Sequence, residues 1–189
     1  LAEGDAEALG LAEMPEPAEA TMSTRDDLPA SDALSILKNA PQTFKGRKLG
    51  ILVSDDLDGS ILENVTAALD SEGAMYEVVA PQIGGVTCDK GKKVDAQQKV
   101  DGGPSVLYDA VLLLVSEKGA NMLAEKPEAK DFVSDAFAHN KFIGYTQSAL
   151  PLVKATGLES KMDDGFINLK NVSADEFVGS LRNIRFWQR

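Results

Sequence analysis

Two continuous apolar runs, within residues 48–53 and 108–115, constrain this chain more than any other feature. Such runs are typical of parallel strands that are buried on both faces of a sheet. After the first run, Ser60 and Glu63 have the spacing of a helix capping box. Apolar residues then recur at the spacing of one buried helix face, at Ile61, Leu62, Val65, Ala68 and Leu69. With a second strand at residues 76–80, the pattern predicts a right-handed βαβ unit.

The rest of the chain continues the alternation of strands and helices. Besides the strand in residues 108–115, strands are expected at residues 142–145 and 165–169. Helices are expected at residues 118–125, 127–140, 149–157 and 173–185. Residues 84–96 predict a small exposed hairpin. The chain is therefore predicted to be α/β, with a doubly wound, mostly parallel sheet and helices on both faces, plus the small hairpin.

The negative charge is concentrated in the N-terminal part of the sequence. The net charge is −11, and residues 1–40 hold nine acidic against two basic residues. Residues 1–30 are rich in Ala, Glu and Pro, which predicts an extended acidic connector, with a disordered tail as the alternative. Residues 31–189 are expected to form the folded domain. Nucleic-acid binding is disfavoured because no basic face is available to neutralise phosphates.

The sequence carries no membrane or targeting signal that we can recognise. No run of about 18 apolar residues is present, so no membrane span is expected. The acidic beginning of the chain does not have the basic and then apolar pattern of a signal peptide. These patterns indicate a soluble chain and assign no compartment.

Residues 55–59 invite a calcium interpretation, because Asp55, Asp56 and Asp58 precede a glycine. The twelve-residue calcium loop needs an acidic residue at its first position and a glutamate at its last. Those positions hold Ser54 and Val65. We therefore expect a solvated loop that caps the following helix, and no metal site.

Three other features also favour structural roles. Residues 85–93 are rich in Gly and Lys, but a phosphate-binding loop needs a glycine five residues before Gly91, where Val86 stands. The single cysteine, Cys88, excludes an internal disulfide framework and a thiolate metal cluster. His139 falls at a predicted helix end, which favours a surface position over a catalytic one.

Residues 141–158 predict a strand, a sharp turn and a helix, with Gln147 at the tip of the turn. In α/β proteins such an element often carries a nucleophile, because the turn lifts one side chain above the carboxyl edge of the sheet. An amide can only donate and accept hydrogen bonds. The element therefore has the arrangement of an active site without a nucleophile.

Polar residues that follow the predicted strands define a candidate crevice at the same edge. Its members are Asp55, Asp56, Ser116 and Glu117, together with Gln147. Carboxylates that work as an acid–base pair need a substrate site and an environment that separates their pKa values. The sequence establishes neither condition, so no catalytic residue is assigned.

Several stretches together are specific for one family. Residues 44–56, 94–96, 108–111 and 141–158 resemble the carboxy-terminal, flavodoxin-like domain of large-subunit haem catalases. The resemblance covers about residues 31–185, and the preceding acidic segment looks like the connector from a catalase core. More distantly, the chain is similar to the class I amidotransferase-like superfamily of intracellular proteases, deglycases and a parkinsonism-associated chaperone.

The resemblance implies that catalytic groups are missing from this chain. The superfamily carries a Cys-His pair at the turn and an acid from the first loop, and the positions of the pair fall on Gln147 and Ser148 here. These two residues are therefore a vestigial elbow. Catalase chemistry needs a distal histidine and a haem-ligating tyrosine in an Arg-x-x-x-Tyr run. The sequence has no such run, and its one histidine is His139. The resemblance thus implies a haem-containing parent that converts hydrogen peroxide to water and oxygen, and a cofactor-free, non-catalytic domain.

The residues and the resemblance together leave two candidate functions, which belong to different classes. The first is an accessory domain that stabilises a catalase homotetramer, with the catalase core and the other subunits as partners, and that acts on unfolded client proteins as a chaperone does. The alternative is a small-molecule binding module, or a hydrolase or glyoxalase, that uses the crevice at the strand carboxyl ends.

Overall fold

The computed structural model describes residues 2–11, 14 and 16–189. The chain divides into two units, Leu1–Asn39 and Ala40–Arg189. In the first unit, helix α1 spans Ala2–Ala8 and helix α2 spans Ile36–Asn39. The extended conformation expected for residues 1–30 is therefore wrong at α1, where alanine and glutamate favour a helix and no proline interrupts it. The assignment of this segment as a connector stays a prediction.

The second unit alternates strands and helices as predicted. Its strands are β1 Lys48–Val53, β2 Met75–Ala80, β3 Val86–Thr87, β4 Lys93–Val94, β5 Gln98–Lys99, β6 Ala110–Leu114, β7 Ile143–Tyr145 and β8 Phe166–Asn168. Its helices are α3 Gly59–Glu72, α4 Glu117–Ala124, α5 Pro127–Ala138, α6 Leu150–Ala155 and α7 Ala174–Leu181. None of the helices in the described part of the chain is long and apolar enough to cross a membrane.

Six strands form one sheet in the order β5-β2-β1-β6-β7-β8, and every neighbouring pair is parallel. Without the short edge strand β5, this is the flavodoxin-like order. Strands β3 and β4 form the predicted hairpin, in which Val86 pairs with Val94. The predicted fold class is confirmed, and β5 is the strand that the sequence pattern missed.

Successive residues of the central strands belong alternately to two separate hydrophobic cores, one on each face of the sheet. Ile51 packs with residues of α3 and α7, whereas the next residue, Leu52, packs with residues of α4, α5 and α6. Leu112 and Leu113 of β6 divide between the same two cores. Both apolar runs are therefore buried on both faces, as their continuous hydrophobic character requires.

The start of α3 differs from the prediction. Asp58, not Ser60, is the cap: its Oδ1 accepts hydrogen bonds from the backbone N–H groups of Ser60 and Ile61 at 2.9 and 3.2 Å. The expected partner in the capping box, Glu63, pairs instead with Lys92 at 2.9 Å. Aspartate fits the cap because a carboxylate accepts from exposed N–H groups at the positive end of the helix.

Candidate functional site

The strand order reverses between β1 and β6, and the carboxyl ends of these strands are tied together by two serines. The backbone N–H of Ser116 donates to Ser54 Oγ at 3.0 Å, and Ser116 Oγ donates to the carbonyl of Asp55 at 2.7 Å. Ser116 Oγ also accepts a hydrogen bond from the N–H of Gly119, and Ser116 is thereby the N-cap of α4. Open α/β sheets bind ligands at this kind of reversal point.

A crevice of about 540 Å³ lies beside these serines. It is lined by Asp56, Asp58, Ile61, Leu114, Val115, Ser116, Glu117, Thr146, Gln147, Ser148 and Lys170. Of the six residues that the sequence assigned to the crevice or the elbow, five line this cavity: Asp56, Ser116, Glu117, Gln147 and Ser148. Sequence reasoning missed Lys170, although its position just after β8 places it at the same sheet edge.

Asp55 is not among the residues that line the crevice. Its Oδ1 accepts a hydrogen bond from the backbone N–H of Thr87 at 2.8 Å, so the carboxylate holds the hairpin against the first loop. Asp89 makes a similar contact from the hairpin side, because its Oδ1 accepts from the N–H of Gly59 at 3.1 Å. These carboxylates stabilise a loop-to-loop junction. The described residues contain no group of three or more His, Cys, Asp or Glu placed to hold a metal ion.

Asp56 carries unusual backbone geometry at the mouth of the crevice. Its φ is +61°, in the left-handed region that side-chain-bearing residues rarely adopt, although aspartate tolerates it better than most. The Asp56 N–H donates to the Thr87 carbonyl at 2.8 Å, which fixes this conformation. The hairpin therefore sets the direction of the first loop.

The turn at Gln147 is relaxed. Thr146 is extended, with φ −93° and ψ 154°, and Gln147–Ala149 form one turn of 3-10 helix. Within the described ranges, non-glycine residues with positive φ are Asp56, Asn140 and Ile184, so Gln147 is outside that set. Gln147 is exposed, and its Oε1 accepts from Asn168 Nδ2 at 3.1 Å. The strained backbone of a nucleophile elbow is not present at this position.

The hydroxyl of Ser148 also has a structural role. Its hydroxyl donates to the carbonyl of Val115 at 2.6 Å and lies 2.9 Å from Thr146 Oγ1. A serine nucleophile needs its proton directed at a base, whereas this proton is directed at a backbone carbonyl. Cys88 is buried in the hairpin region, and His139 follows α5 near the amino end of β7. The crevice can therefore recognise a polar ligand by hydrogen bonds, but its lining holds no nucleophile–base pair.

Two solved structures of DJ-1 proteins share this fold. Drosophila melanogaster DJ-1beta is 13% identical, with a TM-score of 0.59 over 72% of this chain and 89% of that chain. Oxidised Toxoplasma gondii DJ-1 is 14% identical, with a TM-score of 0.57 over 70% of this chain and 87% of that chain. At these identities the similarity defines an α/β, flavodoxin-like fold of the DJ-1 type.

Sequence comparison shows the family to which the chain belongs. Residues 45–189 match the model of the C-terminal domain found in long catalases, and the chain belongs to this family. It is 48% identical to catalase C of Rhizobium meliloti over 183 residues, which is 96% of this chain and 26% of that protein. It is 28% identical to catalase HPII of Mycobacterium avium, over 93% of this chain and 27% of that protein. The chain thus spans about a quarter of the length of these relatives.

Proposed function

We propose that this chain is a non-catalytic accessory domain of a long catalase whose remaining part decomposes hydrogen peroxide to water and oxygen. Membership of the long-catalase C-terminal family supports the parent assignment. The observation that carries the non-catalytic role is the turn at residues 146–149. There an unstrained glutamine occupies the tip, and the neighbouring serine bonds to a backbone carbonyl.

Haem belongs to the remaining part of such a parent. Haem iron is commonly held by a histidine, cysteine or tyrosine side chain. Here Tyr108 OH donates to Glu77 at 3.1 Å, and Cys88 is buried against α3. The exposed residue His139 stands at a helix end, away from the crevice. Tyr108, Cys88 and His139 therefore do not form the ligand set of a haem pocket.

Stabilisation of the catalase homotetramer is the role that we assign to the domain. In Ala40–Arg189, two buried cores cover the two faces of a parallel sheet, and a unit packed in this way can offer a surface to a catalase core. A chaperone-like action on unfolded clients is the second part of the proposal.

The tetramer role can be tested in catalase C of Rhizobium meliloti. One variant lacks the segment that matches this chain, and a second carries this chain in its place. We expect the deletion to dissociate or to lose activity several-fold faster on heating, and the chimera to retain tetramer mass and heat resistance. A deletion variant that is as tetrameric and as heat-resistant as the intact enzyme would refute the proposal.

The chaperone role requires a separate assay. The chain is added to a heat-aggregating client protein, and light scattering is compared with that of an inert protein of the same net charge. We expect lower scattering with the chain at equimolar ratio. Equal scattering with both additives would remove this part of the proposal and leave the tetramer role intact.

The crevice supports one alternative function, small-molecule binding or turnover. It joins the carboxylates of Asp56 and Glu117 with Lys170 and the amide of Gln147 in about 540 Å³, which is large enough for a small ligand. Glyoxalase, amidase and peptidase substrates can be screened against the chain and its Gln147→Ala variant. Turnover that disappears in the variant would favour an enzyme over the accessory domain.

A further inference from the structure

A second cavity lies at the opposite edge of the sheet, where β6 and β7 begin. It has a volume of about 160 Å³ and is lined by Val106, His139, Lys141 and Arg185. The candidate crevice and the turn at Gln147 lie at the carboxyl edge, so this cavity is separate from both of them. Its lining is basic, although the chain as a whole carries a net charge of −11.

Lys141 is the unusual member of this group. It is 2% exposed, and lysine is rarely buried to this degree without a partner. Its Nζ donates to the carbonyl of Ser105 at 2.5 Å, and it forms no ion pair with a carboxylate of the described residues. An ammonium group has three N–H donors, so two remain. Ser105 is also buried, and its hydroxyl has no hydrogen-bond partner among the described residues.

Arg185 supplies further donors on the other side of the cavity. Its Nη1 donates to the carbonyls of Asp109 and Ile184 at 2.9 and 2.8 Å, whereas its Nε and Nη2 have no partner within the described part of the chain. Arginine and lysine offer donors and no acceptors, so the cavity is suited to a ligand that only accepts. A guanidinium also matches the planar geometry of two oxygens on one anion.

The carboxylates near the cavity do not neutralise it. Asp109 accepts from Arg47 Nη1 at 3.1 Å and from the backbone N–H of Lys48 at 3.0 Å, so both of its oxygens are engaged elsewhere. Asp135, on α5, is the other acidic group that influences Lys141. Lys141, Arg185 and Arg47 thus face two carboxylates, which leaves an excess of positive charge.

Burial, followed by repulsion from Arg185, lowers the pKa of Lys141 to about 8. A bound anion would favour the charged form and raise this pKa again. We propose that the cavity formed by Val106, His139, Lys141 and Arg185 binds a compact oxyanion, of the sulfate, phosphate or carboxylate class. The anion accepts hydrogen bonds from the two remaining donors of Lys141 and from Arg185.

The test uses sodium sulfate as the probe, because sulfate keeps its charge across the pH range of interest. The ¹⁵N-labelled chain is titrated at about pH 7, with sodium chloride holding the ionic strength constant. We expect saturable shift changes at the backbone amides around Val106, Lys141 and Arg185. Arg185→Gln and Lys141→Met should weaken binding about tenfold or more, as expected for a lost charge-assisted contact. Lys154→Met removes the same charge from an exposed site on α6 and should leave binding unchanged.

The wild-type chain gives an independent result if a variant does not fold. At about pH 9.5 most of the Lys141 population is neutral, given its pKa of about 8, so sulfate should bind several-fold more weakly than at pH 7. Asp109, Asp135, Arg47 and Arg185 ordinarily keep their charges in this range, and His139→Gln, which removes the other side chain of the lining that can lose a proton, should show the same weakening. Shifts that do not saturate, or equal affinity in Arg185→Gln and Lys154→Met, would overturn the assignment.

Discussion

Gly119 and Ser54 approach so closely that a β-carbon built on Gly119 would lie 1.9 Å from Ser54 Oγ and 2.2 Å from Ser54 Cβ. The contact brings the first turn of α4 against the end of β1, where Ser116 and Ser54 bond to each other. Only glycine allows this approach. The geometry of the crevice edge therefore depends on a residue that carries no side chain.

We predict that Gly119→Ala destabilises the chain by about 1–3 kcal/mol, because the added methyl group overpacks a buried site. Gly179 is the matched control, since it also lies in a helix but a β-carbon added there would meet nothing within 4 Å. Gly179→Ala should stabilise by about 0.5–1 kcal/mol through helix propensity. Urea denaturation measures both variants. Equal effects of the two substitutions would contradict the close packing at Ser54.

The two residues at the tip of the turn, Gln147 and Ser148, should behave differently when truncated. Ser148→Ala removes the hydrogen bond to the Val115 carbonyl and should lower the free energy of unfolding by about 1–2 kcal/mol. Gln147→Ala removes only an exposed contact with Asn168 and should change it by less than about 0.5 kcal/mol. Thermal denaturation of both variants checks the difference. A larger loss for Gln147→Ala would mean that the amide has a structural role that its contacts do not explain.

The sequence predicted the fold because its strongest signals are set by burial. The runs at β1 and β6 are apolar on both faces, and the structure divides Ile51 and Leu52 between two cores. Strand β5 was not predicted because Gln98 and Lys99 carry no apolar pattern. These two residues extend the sheet by parallel pairing with Val79 and Ala80. Such a short polar strand is defined by its neighbour.

The candidate site was predictable only to the level of the sheet edge. The rule that ligand crevices form at strand carboxyl ends grouped Asp56 with Glu117 and Gln147, and these three residues line one cavity in the structure. It could not separate Asp56 from Asp55, because the direction of each carboxylate depends on the φ of Asp56 and on contacts with a distant hairpin. The basic cavity around Lys141 had no sequence signal, since a lysine before a strand ordinarily lies in solvent.

Acid stability should depend on Glu72. Hydrogen bonds from Arg182, followed by one from the backbone N–H of Phe44, lower the pKa of Glu72 from its ordinary value of 4.5 to about 2. A carboxyl group with a lowered folded-state pKa contributes stability that is present above pH 4.5 and is lost as the pH falls toward 2. Glu72→Gln should therefore be less stable than wild type near neutral pH and should lose less stability across this acid range.

Urea denaturation at a series of pH values measures this dependence. Glu63→Gln is the control, because Glu63 pairs with Lys92 while both side chains are about two-thirds exposed, at 64% and 69%. Exposed pairs contribute little, so the control should follow the wild-type profile closely. If Glu72→Gln and Glu63→Gln gave the same profile, the contact of Glu72 with Arg182 and Phe44 would not explain the acid response.

Arg189 is expected to stabilise the second unit strongly, although it lies outside every regular element. Its side chain is 8% exposed and binds the Asp163 carboxylate through Nε and Nη2 at 2.8 and 2.9 Å. Its Nη1 also donates to the carbonyls of Phe137 and Lys141, and its guanidinium lies 4.4 Å from the centre of the Phe137 ring. A buried cation with these contacts joins α5, the start of β7 and the loop before β8.

Arg189→Ala should lower the free energy of unfolding by about 3 kcal/mol, because it leaves the Asp163 carboxylate and two backbone carbonyls without their donor. Arg25→Ala is the matched control, since Arg25 also pairs with an aspartate, Asp27, but both side chains are mostly exposed. That substitution should change stability by less than about 0.5 kcal/mol. Calorimetric unfolding of both variants measures the contrast. Because Arg189 also bonds to the Lys141 carbonyl, its loss should loosen the start of β7, which faster amide hydrogen exchange at residues 141–143 would report.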